Sequence, residues 1–195
     1  MPAKRPSPEL PYLLSVCGKS EIDGFARRAV THILSIEDPE TPKDTPAWFQ
    51  GVHRQIYFHD VESVEDARMM QAAAVTQAQV AEILRFGEEC LKESRRRSVH
   101  SLIHCFAGAS RSTAACYVIV AQILGPGRAV EALEFLLRIR PEAFPNLLVV
   151  RHADQLLGRH GELLRALAPL REAFSQALEE WVANLGGRKK RGRSA

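Results

Sequence analysis

The chain has 195 residues, and its hydrophobic share of 46% and charged share of 25% are ordinary for one globular domain with a buried core. No apolar run approaches the roughly 20 residues that cross a bilayer, and no signal-peptide core follows the start, so we expect a cytoplasmic protein. The net charge of +3 is concentrated at the end. Positions 186–195 hold five basic residues and no acid, so the remainder carries −2 and is not expected to bind nucleic acid.

The two ends of the chain differ from its middle. Residues 1–11 contain four prolines and little apolar content, so we expect a disordered lead-in there. We expect one domain at 12–185 and a disordered basic tail at 186–195. Only this tail has a charge suited to nucleic acid or another anionic partner.

The first part of the domain alternates strand and helix signals. Tyr12–Cys17 is an apolar run that predicts a strand, and Ala29–Ile36 ends in a second one. Glu21–Arg28 lies between them and predicts one or two helical turns. This order is typical of a βαβ unit with parallel pairing.

A long loop and a third strand follow. Glu37–Arg54 contains three prolines and few large apolar residues, so we expect a loop that is longer than most. Its pair Trp48 and Phe49 either flanks a substrate pocket or anchors the loop to the domain. Gln55–Phe58 predicts a strand that delivers the next two residues to a strand end.

The rest of the domain is mostly helical. Val64–Arg97 is a helix-prone tract with apolar residues near a spacing of 3.6. Four further helices are predicted, at Ser112–Leu124, Arg128–Arg138, Leu147–Leu157 and Glu162–Leu185. We therefore predict a single α/β domain with a central, mostly parallel sheet of about four or five strands and helices on both faces.

The stretch Ser101–Thr113 concentrates a strand, a loop and a helix start. Leu102 and Ile103 form an apolar run that places Cys105 at the carboxyl end of a strand. The loop residues are small or apolar except for one serine, so their N–H groups can turn inward as a nest for an anion. This predicted phosphate-binding loop comprises Phe106, Ala107, Gly108, Ala109, Ser110 and Arg111. The following helix N-terminus adds partial positive charge, and the arginine can bind two oxygens at once.

Cys105 is a candidate nucleophile at this position. The helix dipole and Arg111 both favour thiolate over thiol. Ser112 can donate a hydrogen bond to the sulfur and help it leave a thiophosphate, while His104 is expected to order the loop rather than react. The alternative is a buried apolar cysteine, as most free cysteines are.

The other cysteines give no sign of metal binding or of disulfides. The chain has four, widely spaced and without a Cys-x-x-Cys pair: Cys17, Cys90, Cys105 and Cys116. This spacing fits neither a disulfide framework nor a zinc site, and we expect no metal.

The motif His104-Cys105-x-x-Gly108-x-x-Arg111-Ser112 resembles the phosphate-binding signature of the cysteine-based protein tyrosine phosphatases. The resemblance is to the compact, dual-specificity-like branch and to bacterial tyrosine-phosphatase-like proteins. The segment from Arg140 to Asn146 is also similar to the one that packs behind that loop in the family. Asn146 either bonds the loop from behind or caps the next helix. The resemblance covers roughly residues 11–160 and implies a dual-specificity-phosphatase-like fold and a cysteinyl-phosphate intermediate without a cofactor.

The resemblance also implies a general acid upstream of the cysteine. Asp60 fits, because it follows a predicted strand 45 residues before Cys105. Glu62 and Asp66 remain alternatives, although Asp66 is also typical of a helix N-terminus.

Together these residues predict a metal-free phosphomonoester hydrolase that acts on a phosphorylated protein or a small phosphomonoester. A protein tyrosine or dual-specificity phosphatase is the leading interpretation. The alternatives are a phosphate-binding protein with weak turnover and a phosphatase of non-protein substrates. The inositide-lipid branch of the family that the motif resembles tends to carry basic residues in this loop, so the absence of lysine here makes a phosphoinositide substrate less expected. Gly108 and Ser112 argue against other enzymes with the same Cys-x5-Arg spacing.

Overall fold

The computed structural model describes residues 9–191, with side chains through Trp181 except that of residue 178. Residues 1–8 and 192–195 lie outside the described part of the chain. The predicted lead-in at 1–11 and basic tail at 186–195 lie partly outside this range, and both stay predictions.

Four parallel strands form the centre of the domain. They are β1 (Leu13–Gly18), β2 (His32–Glu37), β3 (Val52–Tyr57) and β4 (His100–Cys105), in the order β1-β4-β2-β3. Because all four run the same way, their carboxyl ends meet at one edge of the sheet. The predicted single α/β domain with a parallel sheet is confirmed.

The sheet is covered on both faces, but unequally. One face carries the main core, to which helices α2 to α6 contribute, whereas the other face is covered by a short 3-10 helix and the loop before β3. The helices are the 3-10 helix (Lys19–Phe25), α1 (Val64–Met69), α2 (Gln77–Ser94), α3 (Arg111–Leu124), α4 (Ala129–Ile139), α5 (Leu147–Leu156) and α6 (Glu162–Arg191). Among these described helices, none is both long and apolar enough to cross a membrane.

The helix-prone tract from Val64 to Arg97 is interrupted. It forms α1 and α2, which are separated by residues 70–76. The second helix begins where Thr76 and Gln79 form a reciprocal capping box, which satisfies backbone donors at a helix start. The break matters for function because residues 70–72 border the cavity described below.

Strand β3 begins at Val52, three residues earlier than predicted, so the preceding loop is shorter. The early part of this edge strand is mostly polar and only partly buried, so it lacks the apolar run that predicts a strand. Within the loop, Phe49 is buried in the smaller core, and Trp48 Nε1 donates a 3.1 Å hydrogen bond to Asp23. The aromatic pair therefore anchors the loop to the domain.

Candidate active site

The loop 106–110 joins the end of β4 to the start of α3. Gly108 has a φ of 70°, and a Cβ there would lie 2.4 Å from the backbone N of Gly18 and 2.5 Å from the carbonyl carbon of Cys17. Only glycine adopts this conformation without strain and allows so close an approach. The loop is therefore pressed against the end of β1 at the carboxyl edge of the sheet.

The loop carbonyls all accept hydrogen bonds from the protein behind the loop. The bonds are Lys19 N to Phe106 O (3.0 Å), Arg140 Nη2 to Ala107 O (3.4 Å), Arg140 Nε to Gly108 O (3.1 Å), Phe144 N to Ala109 O (2.7 Å) and Asn146 N to Ser110 O (3.3 Å). In a trans peptide unit the C=O and the next N–H point in opposite directions, and the described residues contain no cis bond. The N–H groups of residues 107–111 therefore turn to the other side, where they form a nest for an anion.

Cys105 lies at the base of this nest. Its side chain is only 1% exposed, and its Sγ lies 3.1 Å from Ser112 Oγ. Ser112 belongs to the first turn of α3, whose unpaired N–H groups carry partial positive charge. The arrangement suits a thiolate that accepts a hydrogen bond from the serine hydroxyl.

Arg111 is anchored on one side. Its Nη1 donates to Asp38 Oδ1 at 2.7 Å and to the carbonyl of Phe58 at 2.8 Å. Its Nε is buried and has no hydrogen-bond partner among the described residues. A buried donor of this kind is costly unless a ligand satisfies it, so the guanidinium is ready to bind an oxyanion.

The sequence analysis did not predict Asp38 as part of this site. It directly follows β2, so the parallel sheet brings it to the same edge as the end of β4. The one signal in the sequence was its place after an apolar strand, since Asp38 lies 73 residues from Arg111.

Asp60 lies beside the loop. Its Oδ1 accepts hydrogen bonds from Ser110 Oγ at 2.6 Å and from Asn146 Nδ2 at 2.9 Å. Its Oδ2 lies 3.9 Å from Arg111 Nε, and the side chain is 39% exposed. Since two donors occupy Oδ1, Oδ2 is the oxygen left to carry and transfer a proton.

The two alternative acids make contacts elsewhere. Glu62 Oε2 pairs with Arg171 Nη2 at 2.6 Å. Asp66 Oδ2 accepts from Ser63 Oγ at 2.7 Å in the first turn of α1. Neither side chain lines the cavity next to Arg111. Of these three carboxylates, Asp60 is the one that lines this cavity.

His104 lies on the opposite face of β4 from Cys105, because side chains alternate along a strand. Its Nε2 is 2.5 Å from Ser35 Oγ, and Ser35 Oγ also lies 2.7 Å from His53 Nε2. Burial lowers the pKa of His104 to about 4, so the ring is neutral near pH 7. His104 therefore supports the strand that carries Cys105, and its ring lies on the other face of the sheet from the Cys105 side chain.

Asn146 performs both of the roles that the sequence left open. Its Oδ1 accepts from Val149 N at 3.1 Å, which caps α5. Its Nδ2 donates to Asp60 Oδ1 and, at 3.0 Å, to the carbonyl of Val61. One side chain therefore starts a helix and holds the candidate acid.

A cavity of about 430 Å³ opens beside the loop. Its lining residues are Asp38, Glu40, His59, Asp60, Val61, Met70, Gln71, Ala72, Phe106, Ala107 and Arg111. Elsewhere in the described ranges, as here, no group of three or more His, Cys, Asp or Glu side chains is arranged to hold a metal ion.

No known family model matches the chain, and no curated protein is similar enough to count as a relative. Solved structures do match. DUSP15 is 23% identical with a TM-score of 0.54, over 85% of this chain and 94% of that one. The Yvh1 phosphatase domain from Chaetomium thermophilum is 22% identical with a TM-score of 0.54, over 73% and 88%. A human tyrosine phosphatase-like serine/threonine/tyrosine-interacting protein is 17% identical with a TM-score of 0.52, over 72% and 84%. These similarities establish a shared fold.

Proposed function

We propose that the chain is a cysteine-dependent phosphomonoester hydrolase of the protein tyrosine or dual-specificity type. The observation that carries the proposal is the single site in which Cys105 Sγ, the hydroxyl of Ser112, five inward N–H groups and Arg111 converge. Such a site can hold a tetrahedral oxyanion with its central atom facing the Cys105 thiolate at the base of the nest. The fold shared with phosphatase structures supports the same reaction class.

The first step transfers the phosphoryl group to the cysteine. The Cys105 thiolate attacks phosphorus, so an S–P bond forms while the P–O bond to the leaving group breaks. Asp60 Oδ2 gives its proton to the leaving oxygen, and the N–H groups of residues 107–111 with Arg111 hold the equatorial oxygens.

The second step restores the enzyme. Asp60, now a carboxylate, takes a proton from water as the water oxygen attacks phosphorus. The S–P bond breaks and inorganic phosphate leaves, while the hydroxyl of Ser112 donates to the departing thiolate at the 3.1 Å separation of the two atoms.

A phosphate-binding protein with weak turnover is the second candidate. It is favoured by the contacts of Asp60, whose Oδ1 accepts from Ser110 and Asn146 and whose Oδ2 lies 3.9 Å from Arg111 Nε. A carboxylate with these contacts can hold the loop and its arginine in place without transferring a proton. This candidate keeps the nest and loses only the chemistry.

Turnover of an aryl phosphate by purified protein in EDTA separates the two. Cys105→Ser should abolish hydrolysis and retain vanadate binding, whereas Arg111→Lys should lose both because a point charge cannot replace the planar two-bond contact. A fully active Cys105→Ser would refute the nucleophile assignment. Wild-type protein that binds vanadate but does not turn over would favour the second candidate.

A further inference from the structure

The wall of the cavity next to the phosphate loop has an apolar part and an acidic part. Phe106 and Met70 line it with 70% and 69% of their surface exposed, although large apolar side chains are usually buried. Phe106 belongs to the loop itself, and Met70 lies in the break between α1 and α2. Both side chains line the same cavity, so they offer apolar surface to an aromatic ring that enters beside the loop, and thioether sulfur packs well against aromatic rings.

The acidic part consists of Asp38, Glu40 and Asp60. Arg111 is the single Lys or Arg among the described residues that line this cavity, and its Nη1 is already bonded to Asp38. The ring of His59 is held within the wall, because its Nδ1 accepts the N–H of Ala73 at 2.8 Å and its Nε2 lies 3.1 Å from Glu40 Oε2. Once Arg111 and the loop amides have bound one phosphate group, the rest of the wall is anionic.

Glu40 is the acid best placed to act on the part of a substrate outside the loop. Its side chain is 74% exposed, and its Oε2 lies 3.1 Å from His59 Nε2. It makes no contact with Arg111 or the phosphate loop. A basic group on the substrate would be attracted to it, and a second phosphate group would be repelled.

We propose that this wall selects phosphotyrosine in peptides with Lys or Arg beside it, and rejects substrates that carry further phosphate groups. The inference rests on the proposed function and names its substrate class. Phe106 and Met70 recognise the aromatic ring, while Glu40 recognises the flanking cation.

The test compares kcat/KM for three phosphotyrosine peptides that differ only in having Lys, Gln or Glu beside the phosphotyrosine, together with an inositol bisphosphate. The Lys peptide should exceed the Glu peptide by about tenfold at low salt, with a smaller ratio at high salt because exposed charges are screened. Glu40→Gln should reduce this ratio and Glu40→Lys should abolish it. Glu134→Lys makes the same charge change on an exposed side chain of α4 outside the cavity, and should leave the ratio unchanged.

Phe106→Ala tests the apolar part. It should lower kcat/KM for the phosphotyrosine peptide several-fold more than for the matching phosphoserine peptide. An equal loss for both peptides would refute ring recognition by Phe106.

A wild-type ratio near one, preference for the Glu peptide or faster hydrolysis of the inositol bisphosphate would overturn the inference. If a small aryl phosphate is still hydrolysed in a Cys105-dependent manner, the proposed function survives that failure. If nothing is hydrolysed, the proposed function fails instead. Dissociation constants of the same peptides from Cys105→Ser then decide whether the wall still prefers the Lys peptide.

Discussion

Asn146 and Asp60 lie 86 residues apart in the chain, yet Asn146 Nδ2 donates a 2.9 Å hydrogen bond to Asp60 Oδ1. Ser110 Oγ donates to the same oxygen at 2.6 Å. One carboxylate therefore joins three segments: the start of α5, the residues that follow β3, and the phosphate loop. This relationship leaves Oδ2 outside these two hydrogen bonds and makes the proposed role of Asp60 testable.

Asp60→Asn should lower kcat/KM for a phosphotyrosine peptide by about 10² to 10⁴ and spare an activated aryl phosphate much more, because a good leaving group needs no proton. Steady-state kinetics on the two substrates measure the difference. Glu62→Gln and Asp66→Asn serve as controls and should stay near the wild-type rate. If Glu62→Gln or Asp66→Asn lost its kcat/KM while Asp60→Asn kept the wild-type value, the general acid would instead be the residue replaced in that variant.

Asn146→Ala should both destabilise the domain and slow the enzyme. Loss of the cap and of the bonds to Val61 and Asp60 should lower the free energy of unfolding by about 1–3 kcal/mol, since the side chain is fully buried. Asn146→Ser keeps a capping oxygen but lacks the amide donor. It should therefore be more stable than Asn146→Ala. Like Asp60→Asn, it should still lose more activity on the phosphotyrosine peptide than on the activated aryl phosphate. Urea titration and the two-substrate assay test this, and wild-type kinetics in both variants would contradict it.

Cys105 should be the one cysteine that reacts with iodoacetamide at neutral pH, and phosphate should protect it. Burial raises the pKa of Cys17 and Cys90 to about 12 and also raises the pKa of Cys116, which keeps all three as unreactive thiols. Mass mapping after partial alkylation identifies the modified residue. Because Cys17 lies on the opposite face of the sheet from Cys105, peroxide should not join the two, and a disulfide between them would contradict this geometry.

Gly108→Ala should lower phosphate affinity and kcat/KM by at least about 10², because a Cβ only 2.4 Å from Gly18 N would push the loop amides out of position. Gly127→Ala is the matched control. Gly127 also has a positive φ, of 78°, but a Cβ there meets nothing within 4 Å. That variant should lose on the order of 1 kcal/mol of stability and keep its kinetics. Equal kinetic effects of the two substitutions would show that the close approach at Gly108 is unimportant.

Stability should fall as the pH drops from about 6.5 to about 4. Burial, followed by the nearby His53, lowers the pKa of His104 from 6.5 to about 4. Below pH 6.5 the ring binds a proton in the unfolded chain, whereas in the folded protein it stays neutral down to about pH 4. The difference lowers the free energy of unfolding by on the order of 3 kcal/mol at pH 4. Urea midpoints at pH 7 and 4.5 should therefore differ less in His104→Gln than in wild type. His160→Asn, at an exposed position, should retain the wild-type difference, and an unchanged difference in His104→Gln would contradict the assignment.

Local signals in the sequence were sufficient for much of the fold. Apolar runs located three strands and the end of β3, and the residues that form the phosphate loop follow one another from Cys105 to Ser112. A strand, a tight loop with a glycine and a helix start are each determined by interactions over a few residues. The sequence therefore predicted the fold class and the candidate nucleophile together.

Only the tertiary structure decided which distant groups complete the site. Asp38 and Asn146 reach the loop and Asp60 from 73 and 86 residues away, through contacts that no local pattern encodes. The segment between α1 and α2 is also held by a distant contact. Ala73 donates its N–H to His59 Nδ1 and accepts the N–H of His59, which follows the end of β3. Propensity and periodicity act along the chain, whereas hydrogen bonds between side chains depend on how strands and helices pack. The candidate nucleophile could for this reason be predicted from the sequence. The contact of Asp38 with Arg111 and the hydrogen bond from Asn146 to Asp60 could not be predicted from a local pattern.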